Sequence, residues 1–275
     1  MKKLLFAIAF ISLITSCTKI IELDLNDEDN KRLVVDARIS SLPQEHVVRL
    51  SYSANYFSNE EEELVSGATV TITDGTKTIV FTEKEPGVYV SDSTEFGTPN
   101  MMHTLNIDVD GNTYTAEDYL DEPAILDSIR VVPYYEDNDP NLPQTEWDIL
   151  FATQEKPGFG DYYAWSIYIN GELYNPNIGD QLASSDEFLP DGAYFPMVYL
   201  DIIDLDDVES GDTVTVAQHT ISELTFDSYQ AILFQTDFRG GIFDSPPANI
   251  QTNLNNRAVG LFSATGESRA SFVMP

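Results

Sequence analysis

Dipeptides that favour tight β-hairpin turns recur along the chain and constrain its fold more than any other feature. Asp74-Gly75, Asp110-Gly111 and Asn170-Gly171 each follow or separate runs in which apolar and polar residues alternate. Such dipeptides accept the positive φ angles that a two-residue hairpin turn needs. Alternation with a period of two places one face of a strand in a core. The chain is therefore predicted to be mainly β.

The alternation begins at Leu33 and divides the chain into two β-rich parts. Residues 32–120 hold short strands separated by turns, with the odd-numbered residues from Leu33 to Ile39 on one face, and this pattern is typical of an Ig-like or fibronectin-like antiparallel β-sandwich. Residues 121–275 are predicted to form a second β-rich domain. It carries one amphipathic helix at about 223–236, where helical spacing relates Phe226, Tyr229 and Leu233.

The N-terminal segment has the features of a lipoprotein leader. Lys2 and Lys3 precede an apolar run that is shorter than the roughly 20 residues needed to cross a bilayer. Ile14-Thr15-Ser16-Cys17 resembles a bacterial lipobox, in which the cysteine sulfur receives a diacylglycerol and the new N-terminal amine is acylated, for example with palmitate. We predict a signal peptide at 1–16, lipidation of Cys17, the only cysteine, and an acidic tether at 17–31. The alternative is a signal peptide with a chance cysteine.

The charge of the mature chain limits its partners. Loss of Lys2 and Lys3 leaves 12 basic and 46 acidic residues, so the formal charge is 12 − 46 = −34. Such a surface repels nucleic acid and anionic lipid head groups, and it favours a cationic ligand, a metal ion or a basic partner. Solubility at a crowded extracytoplasmic surface is the simpler explanation of this charge. Because 42% of the residues are hydrophobic, the chain can form a proper core and is not a disordered acidic tail.

The sequence contains no local catalytic motif. A Gly-x-Ser-x-Gly elbow, a Gly-rich phosphate loop and a His-Glu-x-x-His motif are all missing, and His46, His103 and His219 lie far apart in the chain. No cofactor is therefore expected. A hydrolase that uses two carboxylates remains an alternative, because spacing along the chain does not reveal which acids converge.

Two kinds of noncatalytic site are candidates. Carboxylate clusters suit Ca²⁺, and the weak candidates for this ion are Asp201, Asp204, Asp206 and Asp207, although solvated surface acids explain them without a metal. Exposed aromatic residues suit a sugar platform, and the candidates are Tyr162, Tyr168 and residues 194–196. Packing against a second layer is the simpler explanation for these aromatics.

An ordered set of segments along the mature chain resembles a Bacteroidota lipoprotein family, domain of unknown function 4249. The segments include "IELDL", "RLVVDARIS", "VSGATVTITDG", "DYYAWSIYING" and "GGIFDSPPANIQTNLNN". The last segment and the strand after it keep the spacing of five signature residues, Phe243, Pro246, Asn253, Gly260 and Phe262. We expect these five to be architectural, with Gly260 allowing close packing or an unusual backbone angle and Phe262 filling a core.

The resemblance implies a location and a class of partner. Members of the family resemble outer-membrane lipoproteins that associate with TonB-dependent receptors, the transporters that import bulky nutrients. The expected function is therefore a noncatalytic accessory or ligand-capture subunit of such a receptor, held by its lipid and facing the cell surface rather than the periplasm. A structural or adhesive β-module is a further alternative.

Overall fold

The computed structural model describes residues 31–54, 62–135, 141, 143–174, 176, 182–236 and 250–275. The predicted fold class is confirmed, because this part of the chain is mainly β with one helix. The described residues within 32–53 and 62–275 belong to one compact unit. The fold therefore holds residues from both predicted domains in one body.

The strands in chain order are Leu33–Ser40 (β1), Val47–Tyr52 (β2), Glu63–Leu64 (β3), Thr69–Thr73 (β4), Thr78–Glu85 (β5), Val88–Val90 (β6), Met101–Val109 (β7), Asn112–Leu120 (β8), Leu126–Tyr135 (β9), Gln144–Gln154 (β10), Tyr162–Ile169 (β11), Glu172–Tyr174 (β12), Leu182–Ser185 (β13), Tyr194–Asp204 (β14), Thr213–Ile221 (β15) and Val259–Val273 (β16). A short 3₁₀ turn, Leu205–Asp207, follows β14, and the helix Glu223–Thr236 (α1) follows β15.

These strands form two sheets. Neighbours in the larger sheet run β12-β11-β15-β16-β1-β2-β6-β5-β4-β7-β8, with β13 paired to β11 and β3 to β2, while the smaller sheet runs β14-β10-β9. Pairing is antiparallel in the described part of the chain except between β1 and β16, which are parallel with Val35 opposite Gly260. Hairpin signals gave no indication of this parallel pair, since it joins strands at opposite ends of the chain.

The first core is the interior of a sandwich that the larger sheet makes by folding over itself. The odd-numbered residues from Leu33 to Ile39 of β1 are all buried, as predicted. In this core they share a layer with side chains of the neighbouring strands β2 and β16. Side chains of β4, β5, β7 and β8 form the opposite layer. Each such aliphatic side chain contributes about 1.5–3 kcal/mol when it is fully removed from water.

The second core lies between the smaller sheet and the strands β11, β15 and β16. Strand β16 reaches both cores, because Phe262 and Ala264 belong to the first while Ala270 and Phe272 pack against the second. These four positions are even-numbered and so share one face of a single strand. The predicted domain boundary at residue 120 falls between β8 and β9. Strand β16 packs in both cores, so it couples the parts of the chain on either side of this boundary.

The three predicted hairpins form, but one of them uses a different turn. Asp110-Gly111 and Asn170-Gly171 both have two positive φ angles and close two-residue turns, as predicted. Between β4 and β5 only Gly75 has a positive φ, and the turn spans four residues instead of the predicted two. The reason is that the Asp74 carboxylate accepts hydrogen bonds from the backbone N–H groups of Thr76 and Lys77, each at 2.8 Å, which stabilises the longer turn.

Helix α1 has the bounds that its helical spacing predicted. Ser222 caps it by accepting a hydrogen bond from the Thr225 backbone N–H at 3.3 Å. Of its predicted apolar face only Tyr229 is buried, whereas Thr225 and Ser228 are the other buried positions. No helix in the described residues combines the length and the apolar character needed to cross a membrane.

The polar face of α1 is buried because the helix packs on polar strand residues. Thr225 Oγ1 donates to Ser263 Oγ of β16 at 3.1 Å. Arg38 of β1 donates from Nη2 to the Tyr229 hydroxyl at 2.6 Å. The helix thus covers part of a polar sheet surface and leaves the rest as the wall of a cleft.

Candidate functional site

Polar side chains line the face of the larger sheet that points away from both cores. We call this surface the outer face, and its members on β1, β11, β15 and β16 are Asp36, Arg38, Ser40, Ser166, His219, Ser263, Thr265, Glu267 and Arg269. The strand register brings them side by side, since Ser40 pairs with Thr265 and His219 pairs with Glu267. Alternation along the strands therefore creates the site, because the opposite positions fill the cores.

Glu267 is the centre of a buried hydrogen-bond network on the outer face. Only 2% of this residue is exposed. Gln44 Nε2 donates to Glu267 Oε2 at 2.9 Å, Arg269 Nε donates to Oε1 at 2.5 Å, and Arg269 Nη2 donates to Gln44 Oε1 at 2.6 Å. Burial alone would raise the pKa of Glu267, but it is lowered overall by the charge of His219 when that ring is protonated, by a hydrogen bond from Ser40, and by the charge and hydrogen bond of Arg269. The carboxylate is thus held ionised and compensated.

His219 lies beside this network and contacts a serine. Its Nε2 atom is 3.2 Å from Ser166 Oγ, and its buried Nδ1 atom has no hydrogen-bond partner within the described part of the chain. Burial lowers the pKa of His219 to about 4; the negative charge of Glu267 opposes this decrease, while the positive charges of Arg38 and Arg269 add to it. The ring is therefore neutral at physiological pH. Sequence reasoning missed this Ser–His contact because the two residues lie 53 positions apart on paired strands.

The outer face opens into a cleft of about 590 Å³. We call it the polar cleft, and its charged lining residues are Asp36, Arg38, Glu45, Arg49, Asp201 and Glu267, with His46, Ser166, Tyr168 and His219 among the others. Arg49 and Asp36 form an exposed ion pair at 3.6 Å, with side chains 63% and 71% exposed. Both signs of charge therefore meet in this cleft, although the chain as a whole is strongly acidic.

A second, more apolar cavity of about 350 Å³ adjoins the polar cleft through Trp165 and Leu182, which line both. We call it the apolar cavity, and its lining includes Phe151, Tyr163, Phe195 and Leu200. Trp165 packs on Phe151 at 5.5 Å between ring centroids and donates from its indole N–H to Gln218 Oε1 at 3.1 Å. The tryptophan thus forms a fixed wall between a polar and an apolar site.

The structure separates the three histidines and the aromatic residues considered for a sugar platform. His46 and His219 both line the polar cleft, whereas His103 accepts a hydrogen bond from the Thr98 backbone N–H inside the first sandwich. Tyr168 lines the cleft and stacks near Arg269, with 5.4 Å from the guanidinium carbon to the ring centre. Tyr162 instead packs on Phe226 of α1 at 5.1 Å.

The four weak Ca²⁺ candidates do not converge on a metal-binding group within the described residues. Asp201 lines the polar cleft, and Asp204 ends β14. Asp206 and Asp207 lie in the 3₁₀ turn, where Asp207 accepts a hydrogen bond from the Tyr174 hydroxyl at 2.9 Å. The acidic group that does converge consists of Glu155, Asp161 and Asp186, which sequence reasoning missed. The local signal was two acids flanking the Gly-rich stretch "KPGFG".

Three of the five signature residues hold β16 in place. The Asn253 side chain donates to the Glu117 and Phe262 carbonyls at 3.0 and 2.8 Å and accepts from the Phe262 N–H at 3.1 Å. Phe262 is fully buried in the first core. Gly260 has a φ of +102°, and a Cβ atom there would lie 1.9 Å from the Val35 carbonyl oxygen. Cys17, Phe243 and Pro246 lie outside the described residues.

A comparison with protein families matches nearly the whole chain. The family model described as Domain of unknown function (DUF4249) covers residues 18–271. No curated protein matches the chain. The match includes the strands of both cores and of the outer face, apart from the last two residues of β16.

Proposed function

The chain belongs to the Domain of unknown function (DUF4249) family, and we propose that it is a noncatalytic outer-membrane lipoprotein that captures a ligand for a TonB-dependent receptor. In this proposal Cys17 carries the lipid and the protein faces the cell surface. The observation that carries it is the polar cleft, because ligand sites are usually concave and contain polar groups in fixed positions that orient the ligand.

The chemistry of the cleft favours a polar ligand with at least one anionic group. Arg38 and Arg49 are two of only 12 basic residues in the mature chain, and both line this cleft. Glu45 and Asp201 add carboxylates that accept hydrogen bonds from hydroxyl or amino groups. A short peptide or an acidic sugar combines these features. The first test of the ligand class is therefore a thermal-shift screen against such compounds.

A matched pair of arginine variants makes this screen specific. Arg49→Ala removes a cleft guanidinium, whereas Arg32→Ala removes an exposed one just before β1 with the same change in net charge. A ligand that uses the cleft loses at least about tenfold in affinity in the first variant and is unchanged in the second, as for a lost charge-assisted hydrogen bond. Equal effects of the two variants would mean that only net charge matters.

We propose that two exposed phenylalanines contact the receptor. Phe159 and Phe188 are 75% and 88% exposed, and they lie on the loops that follow β10 and β13. Exposed aromatic side chains on loops above a rigid scaffold are typical of protein interaction sites. The strong negative charge of the mature chain then favours association with a basic receptor surface.

The experiment that tests the proposal is a native pulldown from the outer membrane through a C-terminal tag. A TonB-dependent barrel should co-purify in stoichiometric amount, and less of it should remain as ionic strength rises, because exposed charges are screened beyond about 8–10 Å. Replacement of Phe159 and Phe188 by serine should release the barrel. Val80→Ser is the matched control, since Val80 is 63% exposed on β5. Recovery of the protein alone at low salt would reject the accessory function.

A hydrolase is the second candidate, and the Ser166–His219 contact is the observation that favours it. Against it, a ring whose pKa is about 4 is a weak general base at neutral pH, and Ser166 is nearly buried within a paired strand. Turnover of a peptide or glycan library that Ser166→Ala abolishes would establish this candidate. A structural or adhesive module, the third alternative, would show neither turnover nor a receptor in the pulldown.

A further inference from the structure

Three carboxylates converge beside the apolar cavity, at the ends of strands that pack on the second core. Glu155 follows β10, Asp161 precedes β11 and Asp186 follows β13. One oxygen from each lies within 4.8 Å of the other two. Strand pairing brings the acids together, because β11 pairs with β13 and the Asp186 N–H donates to the Asp161 carbonyl at 3.1 Å. The group is therefore built by the fold and is not a run of surface acids.

Glu155 is the residue whose environment requires a partner. It is only 3% exposed, and its Oε1 atom is buried without a hydrogen-bond partner among the described residues. Its other oxygen accepts a hydrogen bond from the Gly192 backbone N–H. A buried carboxylate oxygen that lacks a donor is strongly destabilising. This oxygen belongs to the carboxylate that converges with Asp161 and Asp186, so a cation between the three would complete its coordination.

Neighbouring groups leave the cluster negatively charged. Lys156 Nζ bonds Asp161 at 2.9 Å and Asp121 at 2.6 Å, so it supplies one positive charge to two carboxylates. Gly160 N–H donates to both oxygens of Asp186 and adds no charge. The cluster is thus short of positive charge.

We propose that Glu155, Asp161 and Asp186 bind one divalent cation, Ca²⁺. Ca²⁺ takes carboxylate oxygens at about 2.3–2.6 Å in irregular geometry, so two ligands on opposite sides of the ion lie about 4.6–5.2 Å apart. The three carboxylate oxygens lie within 4.8 Å of one another, so they are close enough to share one such ion. Mg²⁺ demands a tighter octahedron and retains its waters, which suits three carboxylates contributed by two different loops less well.

The cation would join the two loops that bear Phe159 and Phe188. Glu155 also lines the apolar cavity, together with Leu189 from the loop after β13. Bound Ca²⁺ would therefore fix the wall of this cavity and the positions of the two loops that carry the exposed aromatic residues. The cation site does not depend on the receptor proposal, because its ligands and its charge are properties of this chain alone.

The test measures Ca²⁺ binding to the full mature protein after treatment with a chelator. Titration calorimetry should show one site for CaCl₂, with weaker binding of MgCl₂, and the melting temperature should rise with added CaCl₂ but not with NaCl of equal ionic strength. Tb³⁺ should also bind and emit when Tyr163 and Trp165 are excited, and Ca²⁺ should displace it. The Tb³⁺ signal needs only the wild-type protein, so it remains informative if variants fold poorly.

Glu155→Gln and Asp206→Asn form the matched pair of variants. Both remove one negative charge, but Glu155 is buried in the cluster while Asp206 is exposed in the 3₁₀ turn. Glu155→Gln should weaken Ca²⁺ binding at least about 100-fold and raise the melting temperature in chelator, because a buried unpartnered charge is gone. Asp206→Asn should bind as wild type does. Absence of Ca²⁺ heat and Tb³⁺ emission, or equal losses in both variants, would overturn the proposal.

Discussion

The close approach of β1 to Gly260 yields a quantitative prediction that separates two physical causes. Gly260 combines a positive φ with a backbone neighbour in the space that a Cβ atom would fill. Two other glycines each have only one of these features. Gly111 has a φ of +76° and open space around it, while Gly266 has no positive φ but lies with its Cβ position 2.5 Å from the Asp121 carbonyl oxygen.

Alanine at each position gives the expected magnitudes. Gly111→Ala should cost about 1–2 kcal/mol, which is the strain of a left-handed backbone for a residue with a Cβ atom. Gly266→Ala should cost about 1–3 kcal/mol, because the backbone must move to relieve the contact. Gly260→Ala meets Val35 backbone atoms at 1.9 and 2.8 Å as well as the strain. Its cost should therefore reach at least the sum of the other two, about 2–5 kcal/mol.

The assay is urea unfolding of the three purified variants, followed by tryptophan fluorescence and by far-UV circular dichroism. Hydrogen exchange of the β1 amides adds a local measurement, since the parallel pair of Val35 with Gly260 should open first in Gly260→Ala. A Gly260→Ala protein that fails to fold, while the other two fold, agrees with the argument. A cost for Gly260→Ala no larger than that for Gly111→Ala would show that β1 does not approach this closely.

Three further predictions follow from the buried residues and the leader. The His219 pKa is about 4 in the folded chain and about 6.5 when unfolded, so the folded state binds fewer protons, and about 3 kcal/mol of stability present above pH 6.5 should be lost as the pH falls to 4. Urea unfolding across this range should show a flatter slope for His219→Gln. Phe262→Ala should cost about 3–5 kcal/mol, because the side chain is fully buried, while Phe188→Ala should change stability by less than about 0.5 kcal/mol. Intact mass of the membrane-extracted protein should show loss of residues 1–16 and added acyl mass on Cys17.

Each of these has a result that contradicts it. An unchanged pH slope in His219→Gln would mean that the buried ring does not titrate as described. If Phe262→Ala keeps wild-type stability but loses a ligand, its segment is a binding site rather than core. An unmodified chain that retains its leader would refute lipidation.

Local periodicity predicted the features that depend on neighbouring residues. Alternation identified the buried face of β1, and helical spacing gave the bounds of α1. The turn at Asp74 shows where this reasoning stops, since a side chain that accepts backbone hydrogen bonds changed the length of the turn. The Asp-Gly dipeptide indicates a backbone that accepts positive φ angles. It does not show that the Asp74 side chain will accept backbone hydrogen bonds and so stabilise a longer turn.

Partners that lie far apart in the chain could not be predicted, because a strand pattern specifies a face and not a neighbour. The parallel pairing of β1 with β16 joins residues more than 200 positions apart. The Ser166–His219 contact and the convergence of Glu155 with Asp186 depend in the same way on which strands lie side by side. These long-range pairings create both candidate sites, so the sequence supplied their residues but not their geometry.

The central position of β16 also determines the order in which the chain can mature. A polypeptide that emerges from its N-terminus exposes the edge of β1 until Val259–Val273 has arrived, since that strand fills the gap between β1 and β15. An open strand edge is a template for pairing with other chains, and such distant contacts fold slowly. The unfolded chain is therefore aggregation-prone until Val259–Val273 can pair with β1, and a chaperone that shields β1 would have the greatest effect on its yield.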